Sequence, residues 1–178
     1  MRKELLRQSL HLVYGITLTL LTAWNSWIGV AMSIVIAIGI LVYRKRELTF
    51  IAWFMKHLER EERIQGFGAL TLTVGITSVI LVFPESGIIA GIGVALIDSI
   101  ATLIGIFDED NRKHLLPSIV GGFVFFIVST SIFSDVSVWH LGVAAVVGAL
   151  TEFVSTRSMI VDDNITIPWA IVLTLVLL

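Results

Sequence analysis

The chain has no cysteine, little charge and none of the motifs of soluble nucleotide-binding proteins. The absence of cysteine excludes disulfide bonds and thiol chemistry. Only 15% of the 178 residues are charged, whereas a soluble domain has about a quarter. Basic residues are few and the net charge is −2, so no nucleic-acid partner is indicated. Neither a G-x-x-x-x-G-K-[ST] loop nor a protein-kinase signature is present.

Hydrophobic residues dominate instead. They make up 56% of the chain, and the mean hydropathy is +0.95. A compact water-soluble fold of this size could not bury so many apolar side chains. The composition therefore predicts an all-α protein, with residues 1–178 forming a single integral membrane domain.

Seven segments are apolar enough to be read as transmembrane helices. They cover residues 9–24, 27–43, 64–83, 87–107, 118–134, 137–155 and 165–178, and the last is the shortest. The first segment is not read as a signal peptide, because no A-x-A-like cleavage site follows it and His11 interrupts the apolar run. Between the second and third segments, "RELTFIAWFMKHLEREER" predicts an interfacial amphipathic helix; a plain cytoplasmic helix is an equal alternative.

The distribution of lysine and arginine predicts the orientation. The twelve are Arg2, Lys3, Arg7, Arg44, Lys45, Arg46, Lys56, Arg60, Arg63, Arg112, Lys113 and Arg157. With seven spans and a cytoplasmic N-terminus, every one lies on the cytoplasmic side, as the positive-inside rule requires. Trp24, Trp27 and Trp139 then fall at the outer interface. The protein is therefore predicted to be a multi-pass membrane protein in contact with membrane lipids.

Two spans carry ridges of small residues, which let helices approach closely in lipid. Span four has Gly87, Gly91, Ala95 and Ser99 at intervals of four; span six has Gly142, Ala145 and Ala149, on a face that ends in Glu152. These ridges would also allow a homo-oligomer.

Ionisable residues inside spans are costly and usually face a protein interior or cavity. Here they are His11, Asp98 and Glu152, with His140 at the outer edge. The alternative is that each makes a buried hydrogen bond that orders the bundle, and this is favoured for His140. Asp98 lies about 15 Å from the cytoplasmic end of its span, a depth that a water-filled vestibule would explain.

Two cytoplasmic loops add oxygen ligands and cations to the same side. They are "FDEDNRKH" at 107–114 and "TRSMIVDDN" at 156–164. Carboxylates beside Arg and Lys suit a polyphosphate bound to Mg²⁺ or another divalent cation. The alternative is that these short polar loops only solvate helix ends.

These motifs together resemble the dolichol kinase and phytol kinase family, whose members are membrane-embedded and CTP-dependent. "ELLRQSLHLVYG" resembles the family's opening E-x-x-R-K-x-x-H pattern, with Gln8 in place of lysine. "ALIDSIATLIG" resembles its G-D-x-x-A-x-x-x-G segment, with Ile97 in place of the first glycine. "TEFVSTRSMIVDDNITIP" resembles its closing E…D-N-x-x-I-P segment and is the most specific of the three matches.

One stretch departs from the family pattern. Where K-[ST]-x-E-G is usual, the chain has "PSIVGG", so Ser118 and Gly121 match while Pro117 and Val120 do not. Arg112 or Lys113 is expected to supply the missing cation.

The resemblance implies an enzyme that transfers the γ-phosphoryl group of CTP to a polyprenol-type alcohol such as dolichol, phytol or a geranylgeraniol-like lipid. Asp98 and Glu152 are then the expected catalytic residues, and Asp98, Asp163 and Asn164 the expected Mg²⁺ ligands. The expected nucleotide- and phosphate-binding residues are Arg7, His11, Arg112, Lys113, Ser118, Gly121 and Asn164.

Three other functions remain open at this point. A cytidylyltransferase would join CTP to a lipid phosphate and release pyrophosphate. A transporter would place ionisable residues through the full depth of the bundle, whereas the outer half of the predicted bundle has few of them. The altered "PSIVGG" stretch also leaves room for a non-catalytic scaffold. All enzymatic readings require that Asp98, Glu152 and Asp163 meet at one place.

Overall fold

The structure is a computed structural model that describes residues 2–46, 66–105, 115–155 and 162–178. The described residues form seven α-helices and no strand, which confirms the all-α prediction. The helices are α1 (Arg2–Trp24), α2 (Ser26–Arg46), α3 (Phe67–Val82), α4 (Pro84–Gly105), α5 (Leu115–Ile132), α6 (Val138–Ser155) and α7 (Asp163–Leu177).

Short connections fold the chain back on itself three times. Asn25 alone separates α1 from α2, and its side-chain oxygen accepts a hydrogen bond from the Trp27 backbone N–H at 3.1 Å. Phe83 separates α3 from α4, and Pro84 occupies the first helical position, where its missing N–H and fixed φ are tolerated. Residues 133–137 connect α5 to α6. These tight turns make each of the three helix pairs antiparallel.

Helix α4 is the centre of the bundle. It packs against α1, α3, α5, α6 and α7. In its most apolar stretch of 18 residues, 78% is buried inside the bundle, compared with 33% for α5 and 39% for α6. Consequently α5 and α6 each present one apolar face outward, whereas α4 is surrounded by protein. The core cluster includes Val94 and Ile97 of α4, Phe125 of α5 and Ile171 of α7.

Helix α1 runs antiparallel to α4 in close contact. Gly15 lies against Ala95, and Gly91 lies against Thr19. A Cβ atom at Gly91 would approach the Thr19 hydroxyl to 2.5 Å, so the small residue is required for this contact. The predicted ridge on the fourth span therefore packs within the bundle, where Gly87, Gly91, Ala95 and Ser99 are all buried.

Three of the described helices, α4, α5 and α6, are long and apolar enough to cross a membrane. Three shorter apolar stretches, Ser26–Val42, Phe67–Val82 and Asp163–Leu177, accompany them. All seven predicted spans coincide with a described helix, although the predicted boundaries differ by up to seven residues. The predicted interfacial helix at 46–63 lies almost entirely outside the described residues. So do the whole predicted loop 107–114, with Arg112 and Lys113, and residues 156–161 of the second predicted loop.

The two ends of the bundle differ in composition. At one end, Trp24, Trp27 and Trp139 are largely exposed. At the other end, α1 begins, α2, α4 and α6 end, and α3, α5 and α7 begin. We call this second end the site end.

Candidate active site

Three carboxylates from three different helices meet near the site end. Asp98 of α4, Glu152 of α6 and Asp163 of α7 each offer an oxygen, and these oxygens all lie within 4.8 Å of one another. The predicted convergence of the three residues is thereby confirmed, although as many as 65 positions separate Asp98 from Asp163 in the sequence. We call these three residues the acidic triad.

The three carboxylates of the triad are close together, although each lies at a different distance from the end of its own helix. Helix α7 begins at Asp163, α6 ends three residues after Glu152, and α4 continues for seven residues beyond Asp98 to Gly105. Asp98 is therefore further from the described end of its helix than Glu152 and Asp163 are from theirs, because α4 extends furthest past the triad.

The triad is enclosed by protein. Glu152 is fully buried, Asp98 is 7% exposed and Asp163 is half-buried. Carboxylates this close repel one another strongly when little water separates them, unless positive charge lies among or beside them. Such an arrangement is typical of sites that hold a cation or share a proton.

Two further side chains approach Asp98. The His11 Nε2 atom of α1 lies 3.2 Å from Asp98 Oδ2, in ion-pair range but without hydrogen-bond geometry. The Thr102 hydroxyl, one turn along α4, lies 3.5 Å from Asp98 Oδ1. His11 was a predicted site residue and the structure brings it to the triad. Thr102 was missed, although its spacing of four from Asp98 was a usable signal.

The start of α7 places Asn164 beside the triad. Asp162 caps the helix by accepting a hydrogen bond from the Asn164 backbone N–H at 3.0 Å, and Asp163 Oδ1 also lies 3.0 Å from that N–H. The Asn164 amide nitrogen donates to the Thr71 hydroxyl of α3 at 3.4 Å. Its amide oxygen is buried and accepts no hydrogen bond from the described residues. Nothing in the sequence pointed to Thr71, since its contribution depends on how α3 packs on α7.

Ser118 and Gly121 lie on the face of α5 that packs between α4 and α6. Gly121 packs on the α4 backbone at Ile97, the residue before Asp98, and Gly122 packs on α6 at Ala145 and Ala149. Ser118 is one turn nearer the site end on the same face, between α4 and α6. Its hydroxyl is fully buried without a hydrogen-bond partner among the described residues. The structure thus gives Gly121 a packing role, and the register of α5 on α6 puts Ser118 at the level of Glu152.

On α1, Arg7 and Gln8 lie one turn before His11. The Arg7 guanidinium pairs with the Glu4 carboxylate. Gln8 is 4% exposed, and its amide oxygen accepts no hydrogen bond from any described part of the chain. Arg7 was predicted as a phosphate ligand; Gln8 was noted only as a departure from a motif.

The residues at the triad fit a hard divalent cation. Carboxylate and amide oxygens are the ligands that Mg²⁺ and Ca²⁺ prefer, and two oxygens on opposite sides of such an ion are about 4–5 Å apart. The triad oxygens all lie within 4.8 Å of one another, close enough to bind one such ion. Asn164, the residue after Asp163, has a buried amide oxygen of the same ligand class.

Other polar features are remote from the triad. A surface depression of about 310 Å³ is lined by Val82, Phe83, Pro84, Glu85 and Ser86, at the opposite end of α4. His140 lies in the first turn of α6, at the same far end. Neither belongs to the candidate active site.

Comparison with known proteins identifies one relative along nearly the whole chain. The uncharacterized protein MJ1137 of Methanocaldococcus jannaschii is 31% identical over 174 residues, covering 95% of this chain and 91% of the archaeal protein. The chain belongs to the family of this archaeal protein. No family model and no solved structure matches the present chain. The name of the relative assigns no activity, so the function is argued from the site.

Proposed function

We propose that the protein is a membrane-embedded, divalent-cation-dependent lipid kinase that transfers the γ-phosphoryl group of CTP to a polyprenol-type alcohol. The observation that carries this proposal is the acidic triad, with its oxygens within 4.8 Å of one another at one end of an apolar helix bundle. A charged nucleotide stays in water and a prenol stays in the bilayer, so their reaction requires a polar site close to the membrane surface. The resemblance to dolichol and phytol kinases supports the choice of donor and acceptor.

The proposal includes seven membrane crossings with the site end in the cytoplasm. Six of the twelve lysine and arginine residues lie in the first six residues of α1 and the last three of α2, at this end. The other six belong to segments that join helix ends there. This asymmetry follows the positive-inside rule. The exposed Trp24, Trp27 and Trp139 at the opposite end suit an aromatic belt. Outward-facing side chains such as Phe123 and Val146 would contact lipid.

We assign a different role in the reaction to each group of site residues. Asp98, Asp163 and the Asn164 amide oxygen would hold the cation. When bound, the cation neutralises negative charge on the phosphate oxygens of the donor. His11 positions the Asp98 carboxylate from 3.2 Å away. Arg7, Arg112 and Lys113 are proposed to bind the phosphates; the last two lie outside the described residues.

The transfer itself exchanges one phosphorus–oxygen bond for another. The hydroxyl oxygen of the lipid bonds to the γ-phosphorus, the bond from that phosphorus to the β–γ bridging oxygen breaks, and CDP leaves. The hydroxyl proton passes to a carboxylate, for which the fully buried Glu152 is best placed. Because Glu152 lies beside both Asp98 and Asp163, the proton acceptor and the cation ligands share one site.

The first test removes single cation ligands. Asp98→Asn and Asp163→Asn, in membranes supplied with labelled CTP, Mg²⁺ and a prenol, are each expected to reduce transfer by roughly 100-fold or more. Asp135→Asn, an exposed carboxylate at the far end, is the matched control and should retain full transfer. Full transfer by both triad variants would contradict the proposed roles.

The second test defines the reaction. Wild-type protein is assayed with CTP, ATP, GTP and UTP against a panel of lipid alcohols that includes diacylglycerol. The proposal expects CDP and a lipid phosphate with CTP and a prenol. Release of pyrophosphate from CTP and a lipid phosphate would show a cytidylyltransferase instead.

A further inference from the structure

Several polar atoms around the triad are hydrogen-bond acceptors, alongside the Thr102 hydroxyl and the His11 ring. The three carboxylates are oxygen acceptors, and so is the unpartnered amide oxygen of Asn164. Two more buried oxygens without a hydrogen-bond partner in the described structure, Gln8 Oε1 and Ser118 Oγ, lie on the adjacent turns of α1 and α5. Buried acceptors without donors are costly, so each is expected to meet a donor in the working protein.

The position of Gln8 follows from the packing of α1 on α4. His11 lies against Asp98 and Gly15 against Ala95, so the two helices are antiparallel along this contact. Gln8 is three residues before His11 on the same face. It therefore lies level with Thr102, about one helical turn from Asp98 toward the site end. A glutamine side chain is long enough to span that distance.

The position of Ser118 follows from two glycine contacts. Gly121 meets α4 at Ile97, and Gly122 meets α6 at Ala145 and Ala149. One turn nearer the site end, the antiparallel register places Ser118 opposite the α4 turn that follows Asp98 and the α6 turn that contains Glu152. Gln8 and Ser118 consequently approach the triad from different helices.

A hydrated cation would satisfy these atoms. Mg²⁺ gives up its waters reluctantly and usually retains several of them when bound to protein. Each retained water is a strong hydrogen-bond donor, and amide and hydroxyl oxygens accept from it. A nucleotide phosphate carries acceptor oxygens only and could not donate to Gln8.

We infer that Asp98 and Asp163 of the triad hold a hydrated divalent cation before any nucleotide binds, with Gln8 and Ser118 accepting hydrogen bonds from the waters on that cation. This inference rests on the divalent cation of the proposed function and adds its hydration, its binding order and two positioning residues. A polyanionic nucleotide approaching three carboxylates is repelled, whereas the same nucleotide approaching a resident cation is attracted.

The test uses Mn²⁺ as a spectroscopic probe with purified, nucleotide-free protein in detergent. Free Mn²⁺ is titrated by electron paramagnetic resonance, and exchangeable waters on bound Mn²⁺ are counted from deuterium couplings in D₂O. Wild-type protein is expected to bind one Mn²⁺ that keeps at least two waters. Gln8→Leu and Ser118→Ala should each weaken Mn²⁺ binding by about 10-fold or more, as loss of outer-shell partners does at other metal sites.

Matched variants separate this role from folding. Ser129→Ala removes another buried, unpartnered hydroxyl of α5, about 16 Å further along the helix, and should leave Mn²⁺ binding unchanged. Gln8→Glu retains an acceptor oxygen and should bind Mn²⁺ at least as well as wild type. Thermal unfolding of each variant shows whether it is folded.

The outcomes also separate the inference from the proposed function. Failure to bind Mn²⁺ without nucleotide, in protein that transfers phosphate when Mn²⁺ and CTP are both present, would overturn the inference and leave the kinase standing. Unchanged Mn²⁺ affinity in both Gln8→Leu and Ser118→Ala would do the same. Mn²⁺ binding with the expected hydration but no transfer to any acceptor would support the inference and contradict the kinase.

Discussion

At the scale of single residues, Gly121 shows how a packing contact sets the position of a functional side chain. A Cβ atom at this position would lie 2.7 Å from the carbonyl oxygen of Ile97. Backbone cannot move aside as a flexible side chain can, so a larger residue must push α5 away from α4. Since Ile97 directly precedes Asp98, the displacement would reach the triad.

Gly121→Ala is therefore expected to lower the free energy of unfolding by about 1–3 kcal/mol and to reduce phosphoryl transfer. Gly39→Ala is the matched control, because a Cβ there meets no atom within 4 Å. It should be neutral or slightly stabilising, as alanine favours helix over glycine. Both are measured by reversible unfolding of purified protein in detergent without nucleotide. Equal stability of Gly121→Ala and wild type would remove the packing role and return Gly121 to the phosphate site that the sequence predicted.

At the scale of elements, two adjacent carboxylates at the start of α7 have different roles: one caps the helix and the other belongs to the triad. Asp162 lies outside the helix with an extended backbone (φ −79°, ψ 128°) and accepts from the Asn164 N–H. Asp163 is the first residue of the helix and reaches the triad. The positive end of the helix dipole stabilises negative charge at both positions.

These two aspartates should respond differently to the same substitutions. Asp162→Ala removes the cap and is expected to cost about 1 kcal/mol of stability, whereas Asp162→Asn keeps a capping oxygen and most of that stability. Asp163→Asn should remain as stable as Asp162→Asn but lose Mn²⁺ binding. Thermal unfolding and Mn²⁺ titration of the three variants decide the point. Loss of Mn²⁺ binding in Asp162→Asn, with Asp163→Asn unaffected, would exchange the two roles.

Hydropathy located every described helix but not the full extent of each. It marks the lipid-soluble stretch, so the predicted first span began at 9, whereas α1 begins at Arg2 and includes the Glu4–Arg7 pair. This helix continues beyond the apolar run because backbone hydrogen bonding does not depend on hydropathy.

Asp98 and Glu152 were predictable because a carboxylate within an apolar span requires a partner, and few such residues occur in this sequence. Asp163 was predicted from the polar loop before the last span and from the family resemblance. Thr71 was not, because 93 residues separate it from Asn164 and threonine is unremarkable in an apolar helix. The proposed roles of Gln8 and Ser118 likewise could not be predicted from the sequence. A neutral polar side chain becomes informative only once the packing shows that it is buried.

At the scale of the whole molecule, the two ends of the bundle are chemically opposite. Helix directions alternate from α1 to α7, so the undescribed segments after α2, α4 and α6 all join helix ends at the site end. The described connections at the other end are short and contain no lysine or arginine. An asymmetry of this kind orients a membrane protein during insertion.

The absence of cysteine allows this orientation to be tested on single-cysteine variants without background labelling. Ser134→Cys introduces an exposed thiol in the connection between α5 and α6, and Glu109→Cys introduces one in the segment between α4 and α5. In intact cells, a membrane-impermeant maleimide is expected to label Ser134→Cys, and to label Glu109→Cys only after permeabilisation. The two positions lie on either side of one helix, α5, so opposite labelling shows that this helix crosses the membrane. Labelling of both variants in intact cells, or of neither before permeabilisation, would contradict the crossing, and the reverse pattern would place the triad on the outer face, away from cytoplasmic CTP.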